Sequence, residues 1–248
     1  REMNYPTHKM EWIIIDDGTD SVEDLFKNEN LNKDKTLPKI RYYRYAEKMT
    51  LGKKRNLLNK LARGDIMVCI DDDDYYPPDR VKHAVYKLNS DPKILCGASS
   101  IVYCWFNEDQ SMYIFGPYGK YHGTANTFAY KREFFKQTQY NDNDCVSEEN
   151  YFLKGFKLPI IQFDPLKTVI QIAHNQNSFD KSRLKSNIIS KNSKIDNVLF
   201  NLKKYIKNTR LREFYTSSEL IDTLQSYNHG NIENKPDIVE ELKNRNII

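Results

Sequence analysis

Apolar residues along this chain fall into short runs whose period alternates between that of strands and that of helices. Trp12-Ile13-Ile14-Ile15 and Ile66-Met67-Val68-Cys69-Ile70 are continuous apolar runs with the length of buried strands. Between them, Gly52-Lys53-Lys54-Arg55-Asn56 opens a helical pattern with Leu57, Leu58 and Leu61 on one face and Gly64 as the stop signal. The predicted order is strand 12–16, helix 21–27, strand 39–45, helix 52–62 and strand 66–70, an alternation that calls for a parallel sheet. Pro78, at a first helical turn, opens a helix through Asn89. Residues 94–130 are rich in Tyr, Phe, Ile and Val, with turns at Asn107-Glu108-Asp109 and Gly116-Pro117-Tyr118-Gly119, and read as extended, partly antiparallel structure. Helices at 132–137 and 148–155 and strands near 159–163 and 168–173 complete this part. Beyond His174 the composition shifts to Asn, Ser and Lys, with helical patterns near 194–207, 217–226 and 236–244. Thr216 and Glu219 resemble a capping box for the middle helix, and Pro236 is placed to start the last. A boundary is expected after residue 178, with 179–248 as a helical appendage. Packing on the main domain is the simplest role for it; a dimer contact or help in holding an acceptor are the alternatives.

The acidic positions change the picture. Asp71-Asp72-Asp73-Asp74 follows the apolar run 66–70 directly, so four carboxylates stand at the C-terminal end of a strand, where open α/β sheets bind ligands. Like charges this close call for a cation. Carboxylate oxygens suit hard divalent ions such as Mg2+ or Mn2+, which in turn suit a diphosphate. An acidic turn on a solvated surface is the ordinary alternative. Against it stands a second strand-then-acid arrangement, Asp16-Asp17-Gly18-Thr19-Asp20 after the run 12–15.

Three motifs together, "EWIIIDDGTDS", "LGKKRNLLNKLARGDIMVCIDDDDYYPPDRV" and "SEENYFLKGF", resemble the family 2 glycosyltransferases over roughly residues 10–175. The resemblance implies a GT-A-like (Rossmann-like) α/β fold: a mixed, mainly parallel sheet flanked by helices, here with a C-terminal helical appendage. Residues 1–178 would be the catalytic domain. It also implies a hexosyltransferase that uses a nucleotide-sugar donor. Family members begin with a further strand and helix, which this sequence is expected to lack. Asp71-Asp72-Asp73 is the DxD-like element, with Asp73 the first direct metal ligand, Asp71 nearer the ribose and a second candidate metal ligand, and Asp72 beside the nucleotide. Asp74 is free to support its neighbours or to cap the Pro78 helix. Asp16 fits the position that binds a uracil ring, with Asp17 its neighbour, although Asp-Gly is also an ordinary turn. Arg55 matches an arginine that contacts the nucleotide, whereas Lys53 and Lys54 read as surface lysines. His174 matches the late histidine that completes a metal site, with a hydrogen-bonded strand-end histidine as the alternative. Glu148 and Glu149 occupy the place of the family's Glu-Asp pair, Glu149 as the base of an inverting transfer and Glu148 as an acceptor contact or helix orienter. His122, beside Gly123, is a candidate contact for the donor sugar or acceptor. Trp105, Phe106, Tyr113, Phe115 and Tyr118 offer a sugar-stacking platform or, more ordinarily, core.

Composition narrows the classes. The 248 residues suit one sizeable α/β domain with an appendage. With 39% hydrophobic and 29% charged residues, and no apolar run long enough to cross a bilayer, no membrane span is expected. A net charge of +4, without basic residues interleaved on an aromatic platform, points away from nucleic acid. Cys69, Cys96, Cys104 and Cys145 lack CxxC spacing and read as free thiols of a reducing compartment such as the cytoplasm. The abundance of Asn, Lys and Ile matches AT-rich genomes, including those of giant viruses, where similar enzymes decorate glycans or collagen-like proteins. The expected partners are therefore a UDP-sugar, Mn2+ or Mg2+, and an acceptor hydroxyl on a glycan or protein, hydroxylysine of a collagen-like protein included. A nucleotidyltransferase and a non-catalytic sugar-nucleotide or glycan-binding module are the competing readings.

Overall fold

The computed structural model describes residues 2–27, 34–107, 109–174, 177–179 and 202–226, together with Leu31, Lys181 and Lys243. Among the described residues nine strands run in chain order: β1 Glu11–Asp16, β2 Lys39–Arg44, β3 Ile66–Val68, β4 Cys96–Ala98, β5 Val102–Phe106, β6 Ser111–Phe115, β7 Ala129–Lys131, β8 Ile161–Gln162 and β9 Ile170–Ala173. They form sheets ordered β1-β2, β3-β7-β4-β8 and β6-β5-β9. The sheet is mixed, as expected, but its antiparallel share is larger than the alternating pattern suggests. β1–β2, β4–β8 and β5–β9 are parallel, while β3–β7, β4–β7 and β5–β6 are antiparallel. The reason is β7, which inserts between β3 and β4 and carries residues 129–131 back along the acidic strand.

Helices form at Glu23–Lys27, Leu51–Leu61, Arg80–Ser90, Arg132–Gln137, Glu148–Phe152, Thr209–Thr216 and Ser218–Ser226. The Arg80–Ser90 helix covers β3, β4 and β7. A separate aromatic core gathers Phe128, Tyr130, Phe134, Tyr140 and Phe152, the last from the Glu148–Phe152 helix. The described tail packs on the same body: Leu202 and Ile206 join Tyr75, Trp105, Ile170 and Ile172 in one apolar cluster. The 194–207 and 236–244 patterns fall mainly outside the described residues. For the middle tail helix the expected cap moves by one residue: the Ser217 hydroxyl accepts from the Leu220 N–H, while the Thr216 hydroxyl turns back to the Arg212 carbonyl.

The Leu51–Leu61 helix departs from the sequence pattern in an instructive way. Its buried positions are Gly52, Asn56 and Asn59, not the leucines. The Asn56 side chain donates to the Tyr140 carbonyl at 2.7 Å and accepts from the Tyr140 N–H at 2.9 Å. Asn59 accepts from the Tyr130 hydroxyl. The helix is therefore fastened by polar bonds to residues 138–144, the segment that leads into Glu148. Gly52 permits this approach, because a Cβ there would lie 1.8 Å from the Asn141 carbonyl oxygen, a backbone atom that cannot yield alone. Gly52→Ala is expected to lower stability by about 1–3 kcal/mol through overpacking. Denaturant unfolding measures it, and an unchanged midpoint would show that the contact gives way freely.

Candidate active site

Two residues 101 positions apart meet because of one backbone bridge. After β3 the chain leaves the sheet through Asp71–Asp74 and then pairs again: the Tyr75 N–H donates to the Ile170 carbonyl at 3.0 Å, and the Ile170 N–H to Tyr75 at 2.9 Å. From Ile170, β9 runs on to Ala173 and delivers His174 beside the acids. His174 Nε2 lies 3.2 Å from Asp73 Oδ2. Asn177 braces the pair, its Nδ2 donating to Asp73 Oδ2 at 3.0 Å and its Oδ1 accepting from the His174 N–H at 2.9 Å. Asp74 does not cap the following helix. Its Oδ2 accepts from Asn126 at 2.6 Å and its Oδ1 from the Ile172 N–H at 3.0 Å, so it pins the acidic turn to β9. Asp79 stands at the N-cap position of that helix, without a side-chain bond.

A second chain of charges joins three more of the expected residues. Arg55 Nη1 and Nη2 each reach an Asp71 oxygen at 3.2 Å, and its Nε donates to Glu148 Oε1 at 2.6 Å. The arginine expected on the nucleotide is thus committed within the chain to two carboxylates. At the end of β1, Asp16 accepts from the Gly18 and Val22 N–H groups at 3.0 and 3.1 Å and from the Tyr42 hydroxyl, which closes the loop 18–22 around it. Asp17 accepts from the Met49 N–H at 2.7 Å and pairs with Lys54, which is therefore not the plain surface lysine expected.

These contacts set the acidities. Burial pushes Asp16 up, but the bonds from Tyr42, Val22 and Gly18 outweigh it and bring its carboxyl down to about 2. Asp73 keeps 36% of its side chain open. Desolvation raises its pKa, but His174, Lys181 and Asn177 outweigh it, and the net shift is downward. Asp72, raised first by burial and then by Asp73, carries the uncompensated part of the repulsion. Asp74 is pushed up to about 7, chiefly by burial. Part of the positive charge called for by the acidic run is thus supplied by Arg55 and Lys181. Sequence reading missed Asn126, Asn177 and Arg80. Arg80 is fully buried and donates to the carbonyls of Thr127 and Phe128 at 2.8 and 2.7 Å, and burial lowers its pKa to about 10. Its only sequence signal was a charged residue where a helix packs on strands.

Among the described residues no group of three or more His, Cys, Asp or Glu side chains converges as a ready metal cage. The Asp73–His174 pair still fits a hard divalent ion: it offers one carboxylate oxygen and one imidazole nitrogen side by side, and such ions commonly take one or two protein ligands and complete their shell with phosphate oxygens and water.

Glu148 and Glu149 open a five-residue helix after Ser147, which adopts a left-handed φ of 55°. They are not equivalent: Glu148 is buried at 4% exposure against Arg55, and Glu149 is half-exposed. His122 lies between two rings, its centroid 4.8 Å from Tyr118 and 3.9 Å from Phe156. Gly123 does not keep space for a sugar, since a Cβ there would meet the Ala98 Cβ at 2.3 Å; its smallness serves packing. Trp105, Phe106, Tyr113 and Phe115 are core residues, while Tyr118 is 41% exposed. None of the four cysteines is in a disulfide. No helix among the described residues is long and apolar enough to cross a membrane.

Residues 3–157 match the family model described as Glycosyl transferase family 2. Among solved structures the chain is similar to the mannosyltransferase PcManGT from Pyrobaculum calidifontis in complex with GDP-Man and Mn2+, at 12% identity and a TM-score of 0.54 over 98% of this chain and 73% of that one. S. aureus TarS 1-349 in complex with UDP-GlcNAc aligns over 97% of this chain and 73% of its own at 13% identity, with a TM-score of 0.49. GalNAc-T7 with UDP, GalNAc and Mn2+ aligns over 96% and 49% at 15% identity, with a TM-score of 0.47. At such identities the likeness is one of fold, and the first of the three carries it. Comparison with curated proteins gives no sequence match.

Proposed function

This chain belongs to glycosyl transferase family 2, and from that premise we propose that it moves a hexose, glucose or galactose, from a UDP-sugar to an acceptor hydroxyl with inversion at the anomeric carbon. The observation that carries the reading is the meeting of Asp73 and His174, 3.2 Å apart, at the C-terminal end of the acidic strand. Residues 1–178 are assigned to catalysis and 179–248 to a helical extension. That PcManGT, which shares the fold, is in complex with GDP-Man and Mn2+ supports a nucleotide-sugar donor and a divalent cation. Asp16 supports uridine over guanosine through the family position it occupies.

In this mechanism Asp73 and His174 would hold a divalent ion, Mn2+ or Mg2+, on the donor diphosphate. When bound, such an ion acts as a Lewis acid toward the charge left on the departing diphosphate. Asn177 keeps both ligands in register, and Asp74, tied to Asn126 and β9, fixes the turn that bears Asp73. Arg55 holds Asp71 and Glu148 at fixed distance, so that the donor and acceptor sides of the site are one rigid unit. The acceptor oxygen attacks the anomeric carbon and forms the new C–O bond as the bond to the diphosphate oxygen breaks. The electron pair leaves with the diphosphate, and the acceptor proton passes to Glu149.

Titration calorimetry of UDP tests the donor side. The acidic turn repels a diphosphate, so UDP is expected to bind with Mn2+ present and to lose about a hundredfold or more in affinity with chelator. Equal affinity in both would remove Asp73 and His174 as a metal bridge. Incubation with labelled UDP-glucose, UDP-galactose and UDP-N-acetylglucosamine then identifies the sugar. Binding of every donor without turnover of any would make the chain a binding module.

A further inference from the structure

One surface beside the site has the build of a second binding place. Tyr118, His122 and Phe156 stack as three rings, the Tyr118–His122 planes inclined by 25° and the His122–Phe156 planes by 13°. The inner end is anchored, because Phe156 packs against the aromatic core. The outer end, Tyr118, is the exposed one. The platform is held from several directions. The Tyr118 N–H donates to the Ser100 carbonyl at 3.1 Å. Gln162, on β8, accepts from the Ser100 N–H at 2.8 Å and donates to the carbonyls of Lys120 and His122 at 2.9 and 3.2 Å. One amide side chain thereby ties Lys120 and His122 to Ser100, whose carbonyl in turn holds Tyr118.

The stack is joined to the catalytic helix. Lys154, Gly155 and Phe156 have φ values of 52°, 68° and 58°, three successive left-handed residues directly after the helix that carries Glu149. Two of these are not glycine, so the turn that carries the Phe156 ring under His122 holds strain of about 1–3 kcal/mol per non-glycine residue. The Glu149 carboxylate is also among the charges felt by the Tyr118 hydroxyl, whose pKa burial, with this help, pushes up to about 12. Burial lowers the pKa of His122, which favours the neutral ring suited to stacking. A rigid aromatic ring, partly open to solvent and joined through Phe156 to the helix that carries Glu149, suits a ligand with a weakly positive C–H face and hydroxyls at its edge.

We propose that the outer face of Tyr118 seats the acceptor and that the acceptor is a sugar, a pyranose ring laid on Tyr118 that presents one hydroxyl to Glu149. The assignment rests on the transferase reading above and names the acceptor class for that same site. The group-transfer balance is unchanged: the sugar's hydroxyl oxygen forms the new glycosidic bond, its proton goes to Glu149, and the nucleoside diphosphate leaves with the electron pair.

Saturation-transfer magnetic resonance tests this on the full chain, with methyl β-glucopyranoside and methyl β-galactopyranoside as probes. Irradiation of aromatic protons is expected to reach the ring protons of at least one probe, and Tyr118→Ala to abolish this. Tyr118→Phe, which keeps the ring, is expected to retain it and controls for folding. With donor present, Tyr118→Ala is expected to raise KM for that probe about tenfold, with a much smaller change in kcat. Absence of saturation transfer in the unmodified chain, equal transfer in Tyr118→Ala, or its loss in Tyr118→Phe would overturn the platform. So would sugar transfer to a hydroxylysine peptide with a KM that Tyr118→Ala leaves unmoved. The two readings fail separately: UDP calorimetry decides the donor site, and saturation transfer decides the platform without any turnover.

Discussion

Asp73→Asn is expected to reduce donor turnover by roughly 10³-fold at saturating Mn2+ while lowering thermal stability only slightly. The substitution keeps volume, and an amide oxygen can still accept from Asn177 Nδ2, now at 3.0 Å. What disappears is the charge, and with it both its share of the repulsion among the acids and its attraction to His174 and Lys181, which prevails in the net downward shift of its carboxyl. The folded state therefore loses a little by the substitution, and a fall in activity far larger than the fall in melting temperature marks Asp73 as a functional carboxylate. His174 supplies the companion measurement. His174→Ala is expected to raise the Mn2+ concentration for half-maximal rate about ten- to a hundredfold. Initial rates across a Mn2+ series, beside thermal unfolding, read both variants. Rates in Asp73→Asn like those of the unmodified chain would move the metal elsewhere. A collapse in melting temperature of His174→Ala with the metal requirement unchanged would make that histidine a strand-end residue.

The architecture around these residues was legible where pattern and chemistry coincide. β1, β2, β3 and the Leu51–Leu61 helix fall close to their expected places because short apolar runs and a helical spacing of leucines define them locally. The acidic motif could be read because four adjacent carboxylates are electrostatically conspicuous. What could not be read depends on distant partners. Nothing local distinguishes Asp74, bound by Asn126 and β9, from an exposed helix cap. Nothing local says that Asn56 and Asn59, rather than three leucines, face inward; their partners are Tyr140 and Tyr130, over 70 residues away. Lys54 followed ordinary surface statistics, and only the placement of β1 beside its helix pairs it with Asp17. Arg55 was singled out for a nucleotide contact, and nothing local shows that its partners within the chain are Asp71 and Glu148. An arginine so placed couples the two acids.

The same coupling separates the two glutamates and leads to the second large effect. Glu148 is buried and paired with Arg55 at 2.6 Å, so its carboxylate is committed to holding the arginine. Glu149, next on the helix, is half-exposed on the side where Tyr118 feels its charge. In the proposed mechanism it is Glu149 that receives the proton of the incoming hydroxyl. Glu149→Gln keeps size and hydrogen-bonding capacity but removes basicity, and transfer is expected to fall about 10²–10⁴-fold with UDP and metal binding retained. Glu148→Gln is expected to behave differently. It leaves a buried guanidinium short of a counter-charge, which costs about 3–5 kcal/mol when a buried pair is broken from one side, so its signature is a lowered melting temperature. The contribution that two acids make to a helix N-terminus is only about 0.3–1 kcal/mol each and would touch stability alike in both variants. Transfer rates, UDP calorimetry and thermal unfolding of the two variants side by side therefore discriminate the roles. If Glu149→Gln transfers sugar at the normal rate, the base lies elsewhere. Magnetic resonance of the product adds the stereochemical check: from an α-linked donor, a base opposite the departing diphosphate gives a β-linked product, and an α-linked product would remove Glu149 from that role even if the variant were inactive.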